Sequence, residues 1–242
     1  MGLTGSRAVV TGASSGIGAA TARALAGAGC ELVLLGRDEQ RLAEVAATTG
    51  GRAEPTDLTA PDGLAAAVEH ARGADLLVHS AGVGWAGPVT AMPPGTAGAM
   101  IALNLTAPVL LSTAALDGMR RRGGGHLVFV ASIAAVGVRD EEVYAATKAG
   151  VRAFAASLRC AAGPVRVSTV LPGAVRTPFF DTRGRYERGF PRLVEPEAVA
   201  RAVLRAVRRG RREVFVPGWL AAAARVGGAL PGTFERLSQR FG

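Results

Sequence analysis

Short apolar runs alternate with Ala-rich segments along most of the chain. The runs read RAVVTG, CELVLLG, ADLLVHSAG, GHLVFVAS, VRVSTVLPG and EVFVPG, and each one closes on Gly, Ser or Pro. Because their apolar positions are continuous rather than alternating, they predict strands covered on both faces, as in a parallel sheet. A weaker strand is expected at residues 52–56, which brings the predicted sheet to seven strands.

Helix-like segments lie between these strands and include residues 17–28, 41–48, 64–71 and 145–161. The alternation predicts the α/β class, with a doubly wound, mostly parallel sheet and helices on both faces. The sequence contains no internal repeat or linker, so we expect one domain over residues 1–242. Ligands of such folds bind at the carboxyl ends of the strands, which makes the residues there the candidates for a site.

A glycine-rich turn, TGASSGIG at residues 11–18, follows the first strand and leads into a helical segment. Gly12 would permit the tight turn, Gly16 would let the backbone approach a phosphate, and Gly18 would allow close packing of helix and strand. The positive end of the helix would then hold a pyrophosphate. The alternative is a structural turn without a ligand.

The end of the second strand bears on the choice of dinucleotide. NAD-specific sites place a carboxylate there for the ribose 2′-hydroxyl, whereas a nearby Arg accommodates a 2′-phosphate. Gly36 occupies the carboxylate position, Arg37 follows it, and Asp38 comes one residue late and is expected to cap the next helix. The pattern favours NADP(H) over NAD(H). The alternative is that Arg37 is a solvated surface cation that does not bind the cofactor.

Three rare residue types mark a second candidate region. Lys148 is the single Lys among 28 basic residues, Tyr144 is one of two Tyr residues, and Asn104 is the sole Asn. Tyr144 and Lys148 are four positions apart and would share a helix face. An ammonium beside a phenol would lower the pKa of the phenol toward neutrality, and the broad guanidinium of Arg could not simply replace it. Ser132 ends a strand, which puts its hydroxyl on the same side.

These motifs resemble the short-chain dehydrogenase/reductase family, which has a Rossmann-like fold. The resemblance covers essentially the whole chain and rests on TGASSGIG, DLT (57–59), SAG (80–82), LNL (103–105), Ser132, YAATK (144–148) and PGAVRT (172–177). It implies that Tyr144 is the general acid/base and that Ser132 orients the substrate. Lys148 would bind the nicotinamide ribose and tune Tyr144, and Asn104 would hold a water that connects Lys148 to solvent.

The resemblance also implies the rest of the cofactor site. Asp57 and Leu58 match positions that contact the adenine, and Val175 and Thr177 match positions at the nicotinamide carboxamide and a phosphate. The complete set of predicted cofactor-binding residues is Gly12, Ser14, Ser15, Gly16, Ile17, Gly18, Arg37, Asp57, Leu58, Ser80, Ala81, Gly82, Tyr144, Lys148, Pro172, Gly173, Val175 and Thr177. Ser80 departs from the family, which usually has Asn there, and this should weaken cofactor binding. Alternatively, Ser132 is a strand-end cap and Asn104 an ordinary helix residue.

The net charge of +9 raises the question of an anionic partner. The Arg residues are scattered, and the clusters at 120–122 and 208–212 follow helix-like segments, where cations favour a C-terminus. We therefore expect no nucleic-acid partner.

His70, His79 and His126 lack metal-ligand spacing, no GxSxG motif is present, and the two Cys residues are expected to be small buried hydrophobes. No apolar run reaches the roughly 18 residues of a membrane span and no signal peptide is evident, so a soluble, cytoplasmic protein is expected.

The substrate is expected to enter between residues 83–90 and a lid at residues 178–195. Trp85, Phe179, Phe180 and Phe190 suggest an apolar pocket. Arg183, Arg185, Arg188 and Arg192 would favour an anionic substrate, although solvated lid charges are the simpler interpretation. The C-terminal extension, residues 217–242, could cover the substrate mouth, pack on a partner subunit or touch a membrane surface. The family resemblance implies a homodimer or homotetramer with the Tyr144 helix at its interface.

Two hypotheses for function follow. The first is an NADP(H)-dependent oxidoreductase that transfers a hydride between nicotinamide and a small-molecule carbonyl or secondary alcohol. The alternative is a non-catalytic regulator that senses NADP(H) on the same fold. The intact Ser132, Tyr144 and Lys148 set favours the enzyme, because a sensor needs no proton donor.

Overall fold

The predicted strands form one seven-stranded sheet in the computed structural model, which describes residues 2–184 and 192–229. The strands are β1 (Arg7–Thr11), β2 (Glu31–Gly36), β3 (Arg52–Pro55), β4 (Leu76–His79), β5 (Gly125–Val130), β6 (Val165–Pro172) and β7 (Glu213–Val216). Their order is β3-β2-β1-β4-β5-β6-β7, and all six neighbouring pairs are parallel. The prediction of a mostly parallel, doubly wound sheet is confirmed.

The described residues contain helices between these strands, and the four predicted helical segments all fall on them. The helices are α1 (Gly16–Ala26), α2 (Glu39–Thr49), α3 (Pro61–Arg72), α4 (Thr96–Ile101), α5 (Ala107–Arg121), α6 (Glu142–Ala161), α7 (Phe179–Arg183), α8 (Pro196–Arg209) and α9 (Leu220–Ala229). A π-helical turn, Ala102–Thr106, joins α4 to α5, and short 3-10 turns occupy Val89–Ala91 and Ile133–Val136. The predicted segments began up to three residues late, since the polar first turns of α2, α3 and α6 carry no apolar periodicity.

Two apolar cores lie on opposite faces of the sheet. On one face, α1, α2 and α8 bury side chains such as Leu25, Leu42 and Val203 against the strands. On the other face, α3, α5 and α6 bury side chains such as Leu111 and Val151. Burial on both faces explains the continuous apolar runs, because a strand with two covered faces has few positions for a polar side chain.

The carboxyl ends of β1 and β4 lie side by side where the strand order reverses, which is the usual place for a ligand crevice. The Thr11 hydroxyl accepts hydrogen bonds from the backbone amides of Ser80 and Ala81, each at 3.1 Å. Gly12 adopts φ of +67°, and a Cβ atom there would lie 2.7 Å from the Ala81 Cα. Gly12 therefore permits both the tight turn and the close approach of two strand ends.

The helix formed by α4, the π-helical turn and α5 differs from expectation. It runs without a break from Thr96 to Arg121, and its most apolar window of 18 residues has a mean hydropathy of 1.7, so it is by length and composition alone long and apolar enough to cross a membrane. Asn, Thr and Ser interrupt the apolar run in the sequence, so no continuous span was predicted there. Of its most apolar window, 44% is buried inside the protein, and core helices of soluble proteins pass the same test, so this is weak evidence for a span.

Two smaller expectations have clear outcomes. The Arg clusters do lie at helix ends, with Arg120 and Arg121 in the last turn of α5 and Arg208 and Arg209 in that of α8. The expectation that both cysteines are buried is wrong for Cys160, which is exposed near the C-terminus of α6. Its neighbour Ala161 is exposed as well, so the apolar sequence around Cys160 does not indicate burial.

Candidate active site

A cleft of about 440 Å³ opens at the carboxyl ends of the strands. It is lined by the glycine-rich turn, the end of β2, the segment after β4, the segment after β5, α6 and the segment after β6. Of the predicted cofactor residues only Asp57 is absent from its walls, and the wall also includes Ser132, Tyr144 and Lys148. The segment after β3 and the π-helical turn contribute Leu58 and Leu103, so residues from eight separate parts of the sequence are brought to one cavity.

The glycine-rich turn forms one end of this cleft. A Cβ atom on Gly18 would lie 2.1 Å from the Gly12 carbonyl oxygen, so only Gly allows α1 to start directly against the turn. Gly16 has φ of +53°, and its Cβ would lie 2.9 Å from the Thr177 side chain. Close packing at Gly18 was predicted, whereas the contact of Gly16 with the segment after β6 could not be foreseen from one stretch of sequence.

The N-terminus of α1 is suited to an anion. Ser15 occupies the N-cap position but makes no side-chain capping hydrogen bond. The first backbone N–H groups of a helix have no partner within the helix, and together with the helix dipole they bind phosphate groups. This end of the cleft therefore fits the pyrophosphate of a dinucleotide.

The end of β2 forms the adjoining wall. The Asp38 side chain accepts a hydrogen bond of 3.0 Å from the Arg41 amide, which confirms the prediction that it caps α2. A Cβ atom on Gly36 would lie 3.2 Å from both the Ser14 side chain and Leu42, so there is little room for a carboxylate there. Arg37, Asp38 and Arg41 all line the cleft at this point, and Arg41 pairs with Asp38 at 3.4 Å, so Arg37 gives this wall its net positive charge.

Asp57 holds its own turn together. Its carboxylate accepts hydrogen bonds from the Thr59 amide, at 2.8 Å, and the Thr59 hydroxyl, at 2.6 Å. These bonds lower the pKa of Asp57, and the Arg37 guanidinium contributes to the same direction. Asp57 thus orders the segment that places Leu58 on the cleft wall, and its predicted contact with adenine stays a prediction.

Ser132, Tyr144 and Lys148 meet deeper in the cleft, and all three are buried. The Ser132 oxygen accepts a hydrogen bond of 3.1 Å from the Ala134 amide, which leaves its O–H free to donate to the Tyr144 phenol. The Lys148 ammonium donates to the Val130 carbonyl at 3.1 Å and lies 5.7 Å from the centre of the Tyr144 ring. The spacing of four residues does place phenol and ammonium on one helix face, as predicted.

The sequence predicts that the pKa of Tyr144 is lowered, and this prediction is wrong for the protein without a bound cofactor. Burial raises the pKa of Tyr144 to about 12, and the hydrogen bond from Ser132 only partly offsets this. Burial also lowers the pKa of Lys148 to about 8. The spacing in the sequence predicts the attraction between the two charged forms. It does not show the cost of removing each charge from water, and this cost disfavours both the phenolate and the ammonium.

A spectroscopic titration of the cofactor-free protein measures this effect. We expect the phenolate absorbance that is lost in Tyr144→Phe to titrate near pH 12, above the ordinary value of 10.0. Because the folded state then holds this proton more tightly than the unfolded chain, Tyr144 lowers the free energy of unfolding as the pH rises from 10 toward 12. A difference titration centred at or below pH 10 would contradict the dominance of burial.

The sequence comparisons agree with this geometry. The family model for short chain dehydrogenases matches residues 6–187. The chain belongs to this family. An oxidoreductase of Staphylococcus saprophyticus, described as uncharacterized, is 34% identical over 215 residues, with 84% of this chain and 91% of that protein covered.

Solved short-chain dehydrogenases have the same fold. One from Sphingobium yanoikuyae, in complex with NADPH, has a TM-score of 0.83 and 30% identity, covering 97% of this chain and 95% of that chain. Another from Burkholderia phymatum, in complex with NAD, has a TM-score of 0.83 and 23% identity, covering 96% of both chains. The chain is therefore an NAD(P)-dependent dehydrogenase or reductase with a Rossmann-like fold.

Asn104 has a more structural position in this short-chain dehydrogenase than the family resemblance implies. Its amide oxygen accepts from the Val83 N–H at 2.9 Å, and its amide nitrogen donates to the Val83 carbonyl at 2.8 Å and to Thr147 at 3.1 Å. Asn104 thereby fastens the segment after β4 to α6 beside Lys148. The water that it was expected to hold stays a prediction, as does its alternative as an ordinary inward-facing helix residue.

Ser80 and Gly82 complete this segment of the cleft. The Ser80 amide is held by Thr11, so the backbone at the usual Asn position is fixed without a side-chain amide. A Cβ atom on Gly82 would lie 3.2 Å from the Asn104 oxygen and 3.4 Å from the Lys148 nitrogen. The side chains of Asn104 and Lys148 therefore pack directly against the Gly82 backbone, and weaker cofactor binding due to Ser80 stays a prediction.

Sequence reasoning missed an ion pair at the substrate end. Glu141 and Arg183 form a salt bridge in which each side chain is only 7% exposed, and both line the cleft. The interpretation of Arg183 as a solvated lid charge is therefore wrong. No local signal could have paired them, since 42 residues separate them, although Glu141 lies three residues before Tyr144.

The apolar part of the expected pocket is present around Tyr144. Trp85 and Phe179 pack against a cluster of Met100, Ala134 and Tyr144, and the Phe179 ring lies 5.5 Å from the Tyr144 ring. Phe180 also lines the cleft. Arg192 is exposed, whereas Arg185, Arg188 and Phe190 lie outside the described residues, as does the C-terminal extension from residue 230 onward. Within the described residues, no three His, Cys, Asp or Glu side chains are grouped to hold a metal.

Proposed function

We propose that this short-chain dehydrogenase is an NADP(H)-dependent oxidoreductase that transfers a hydride between nicotinamide and a carbonyl or secondary alcohol. The observation that carries the proposal is the meeting of Ser132, Tyr144 and Lys148 on the wall of the same cleft as the glycine-rich turn. A proton donor, an orienting hydroxyl and a cation in one nucleotide-sized cleft are the parts that carbonyl reduction needs.

The residues of the cleft fit a dinucleotide along its length. The unfilled N-terminus of α1 would hold the pyrophosphate, Leu58 would contact the adenine, and Lys148 would hold the nicotinamide ribose. Val175 and Thr177 would bind the carboxamide end. When bound, the nicotinamide supplies or accepts the hydride.

Tyr144 would handle the proton. In the direction of reduction its phenol donates to the carbonyl oxygen, and the raised pKa keeps it protonated at neutral pH. Ser132 Oγ accepts from the Ala134 amide, which leaves its O–H as a donor. With substrate bound, this O–H would turn from the Tyr144 phenol to the same carbonyl oxygen. In the reverse direction Tyr144 accepts the alcohol proton, and the Lys148 cation stabilises the phenolate that this requires.

Preference for NADP(H) rests on the end of β2. Gly36 leaves the usual carboxylate position empty of a side chain, and Asp38 is engaged in capping α2. Arg37 and Arg41 both face the cleft there and would bind a 2′-phosphate. The related enzyme from Sphingobium yanoikuyae, which was solved with NADPH, is consistent with this preference.

Replacing Arg37 by Ala tests the preference. We expect the Kd for NADPH to rise about tenfold or more, because a charge-assisted hydrogen bond to phosphate is lost, while the Kd for NADH changes by less than about twofold. Fluorescence titration with both cofactors measures this. Arg201→Ala on the exposed face of α8 removes the same charge far from the cleft and serves as the control. Equal losses for both cofactors would refute the phosphate contact.

The activity itself is tested by mixing the purified protein with NADPH and a panel of ketones and aldehydes and following the loss of NADPH absorbance. Turnover of members of the panel is the expected result. Tight NADPH binding with no turnover across the panel would instead support the sensing regulator.

We also propose a cytoplasmic homodimer or homotetramer. Ile101 and Leu110 are 46% and 43% exposed along the α4–α5 helix, which packs against α6. Apolar side chains exposed along one helix favour association of copies through it. Light scattering of the purified protein measures the assembly, and a monomer at micromolar concentration would contradict the proposal.

A further inference from the structure

Three segments of the chain converge on the Glu141–Arg183 ion pair. Glu141 immediately precedes α6, which carries Tyr144, and Arg183 ends α7, which follows β6. The Arg183 carbonyl accepts a hydrogen bond of 3.2 Å from the Ala86 amide, in the segment after β4. The pair thus joins the substrate end of the cleft to the helix that positions the proton donor.

Backbone contacts around the pair leave it little freedom. The Gly87 amide donates to the Asp140 carbonyl at 2.8 Å, which ties the segment after β4 to the residue before Glu141. Asp140 has φ of +62°, a left-handed conformation that non-Gly residues rarely adopt. A Cβ atom on Gly84 would lie 2.5 Å from the Phe179 ring, so α7 packs directly on this backbone.

The pair is neutral, bidentate and shielded from water. Arg183 Nε donates to one carboxylate oxygen of Glu141 at 3.2 Å, and Arg183 Nη2 donates to the other. The guanidinium also lies 5.4 Å from the centre of the Phe180 ring. A bidentate pair uses the guanidinium edge that would otherwise bind a carboxylate or phosphate of a ligand.

Most of the rest of the substrate end is apolar. Val83, Val138, Phe179 and Phe180 line it beside Tyr144, and Thr182 adds one hydroxyl. Arg183 is the one guanidinium that is buried within the described residues, and its charge is cancelled where it faces the cleft. A carboxylate entering this region would have to displace Glu141 or remain unpaired in an apolar pocket, which is costly.

We propose that Glu141 and Arg183 are specificity-determining residues, which hold α7 against Tyr144 and restrict the enzyme to uncharged ketones by occupying the only buried guanidinium in the described part of the cleft. The inference rests on the proposed carbonyl chemistry and names its substrate class. Glu141 acts as a built-in carboxylate that excludes a carboxylate on the substrate.

Matched pairs of substrates test this. Benzoylformate and 4-acetylbenzoate carry a carboxylate beside the ketone or across the ring, and each is compared with its methyl ester. For the wild type, kcat/KM should be about tenfold or more higher for each ester than for the corresponding acid. The carboxylate of the acid would lose its hydration in the pocket, whereas the ester carries no charge. In Glu141→Gln the guanidinium is freed, and the ratio of KM for the carboxylate to KM for its ester should fall about tenfold or more for at least one of the two pairs.

Glu195→Gln is the matched control. Glu195 pairs with Arg176 at 2.9 Å, also after β6, but both side chains are largely exposed and neither lines the cleft. The same loss of one carboxylate there should leave the preference for esters unaltered. The double variant Glu141→Leu/Arg183→Met removes both charges and should again prefer the esters over the acids. A merely structural role of the pair does not predict this return of the preference.

A measurement without turnover separates the two proposals. Thermal unfolding of the NADPH complexes is followed with added 4-acetylbenzoate or its ester, and the carboxylate should stabilise Glu141→Gln but not the wild type.

Should Glu141→Gln not fold, Arg183→Met leaves a buried carboxylate and should raise KM for the carboxylates further. Equal use of acid and ester by the wild type, or no change in either variant, would overturn the inference. Absence of turnover with every ketone would refute the proposed function alone.

Discussion

Tyr144→Phe should lower kcat for carbonyl reduction by about a thousandfold or more, because general acid catalysis contributes roughly 10²–10⁴ and no other phenol is described in the cleft. Single-turnover measurements with NADPH and an active ketone give this rate directly. Phe keeps the ring that packs against Phe179 and beneath Ala134. The substitution therefore removes one hydroxyl and leaves the packing of α6 in place.

Cofactor binding separates loss of the proton donor from loss of the site. The Kd of Tyr144→Phe for NADPH should stay within about threefold of the wild type, since the α1 N-terminus supplies most of the anion contacts. The melting temperature should also be close to that of the wild type, because the substitution removes a single hydroxyl and keeps the packing of the ring. Retained turnover, at more than about a tenth of the wild-type rate, would refute the acid/base role.

The fold could be predicted because its determinants are local. Each buried parallel strand is a continuous apolar run, and the turns after β1 and β2 carry residues whose conformation is set by their neighbours, such as Gly12 and Asp38. The side on which the site lies follows from strand order alone. The glycine-rich turn and the end of β2 could therefore be named from the sequence pattern, whereas other residues of the cleft wall, such as Leu58 and Val175, were implied by the family resemblance.

The energetics of the site could not be predicted in the same way. The pKa of Tyr144 depends on how completely the phenol is removed from water, and a sequence does not give burial by residues distant along the chain. Glu141 and Arg183 illustrate the same limit. Arg183 lies in a segment with several Arg residues, and only its three-dimensional contact with Glu141 shows that it belongs to a buried ion pair. Contacts between residues distant in sequence therefore set the burial that raises the pKa of Tyr144.

Lys148→Arg should lower kcat/KM by about a hundredfold or more, although the change keeps the positive charge. The Lys148 ammonium lies between the Val130 carbonyl, at 3.1 Å, and the backbone of Gly82. A guanidinium is longer and wider than this space, and it would displace the segment after β4 that Asn104 fastens to α6. Steady-state kinetics and NADPH titration of the variant measure both consequences.

The charge itself adds to the cost of this substitution. Burial lowers the pKa of Lys148 to about 8, so Lys can lose its proton when it is desolvated, whereas Arg cannot. The free energy of unfolding should therefore fall by about 2–4 kcal/mol in Lys148→Arg, which a urea titration measures. Lys148→Met, which has a similar volume and no charge, should fold stably and still lose turnover.

The pH dependence of stability distinguishes these variants further. Because the unfolded chain binds the Lys148 proton more tightly than the folded protein, the wild type should gain stability relative to Lys148→Met as the pH rises from about 8 toward 10.5. Lys148→Arg should show no such gain, since its guanidinium stays charged in both states. Wild-type kinetics in Lys148→Arg would show that any cation suffices at this position. The retention of a single Lys in a chain with 27 Arg residues would then have no chemical cause.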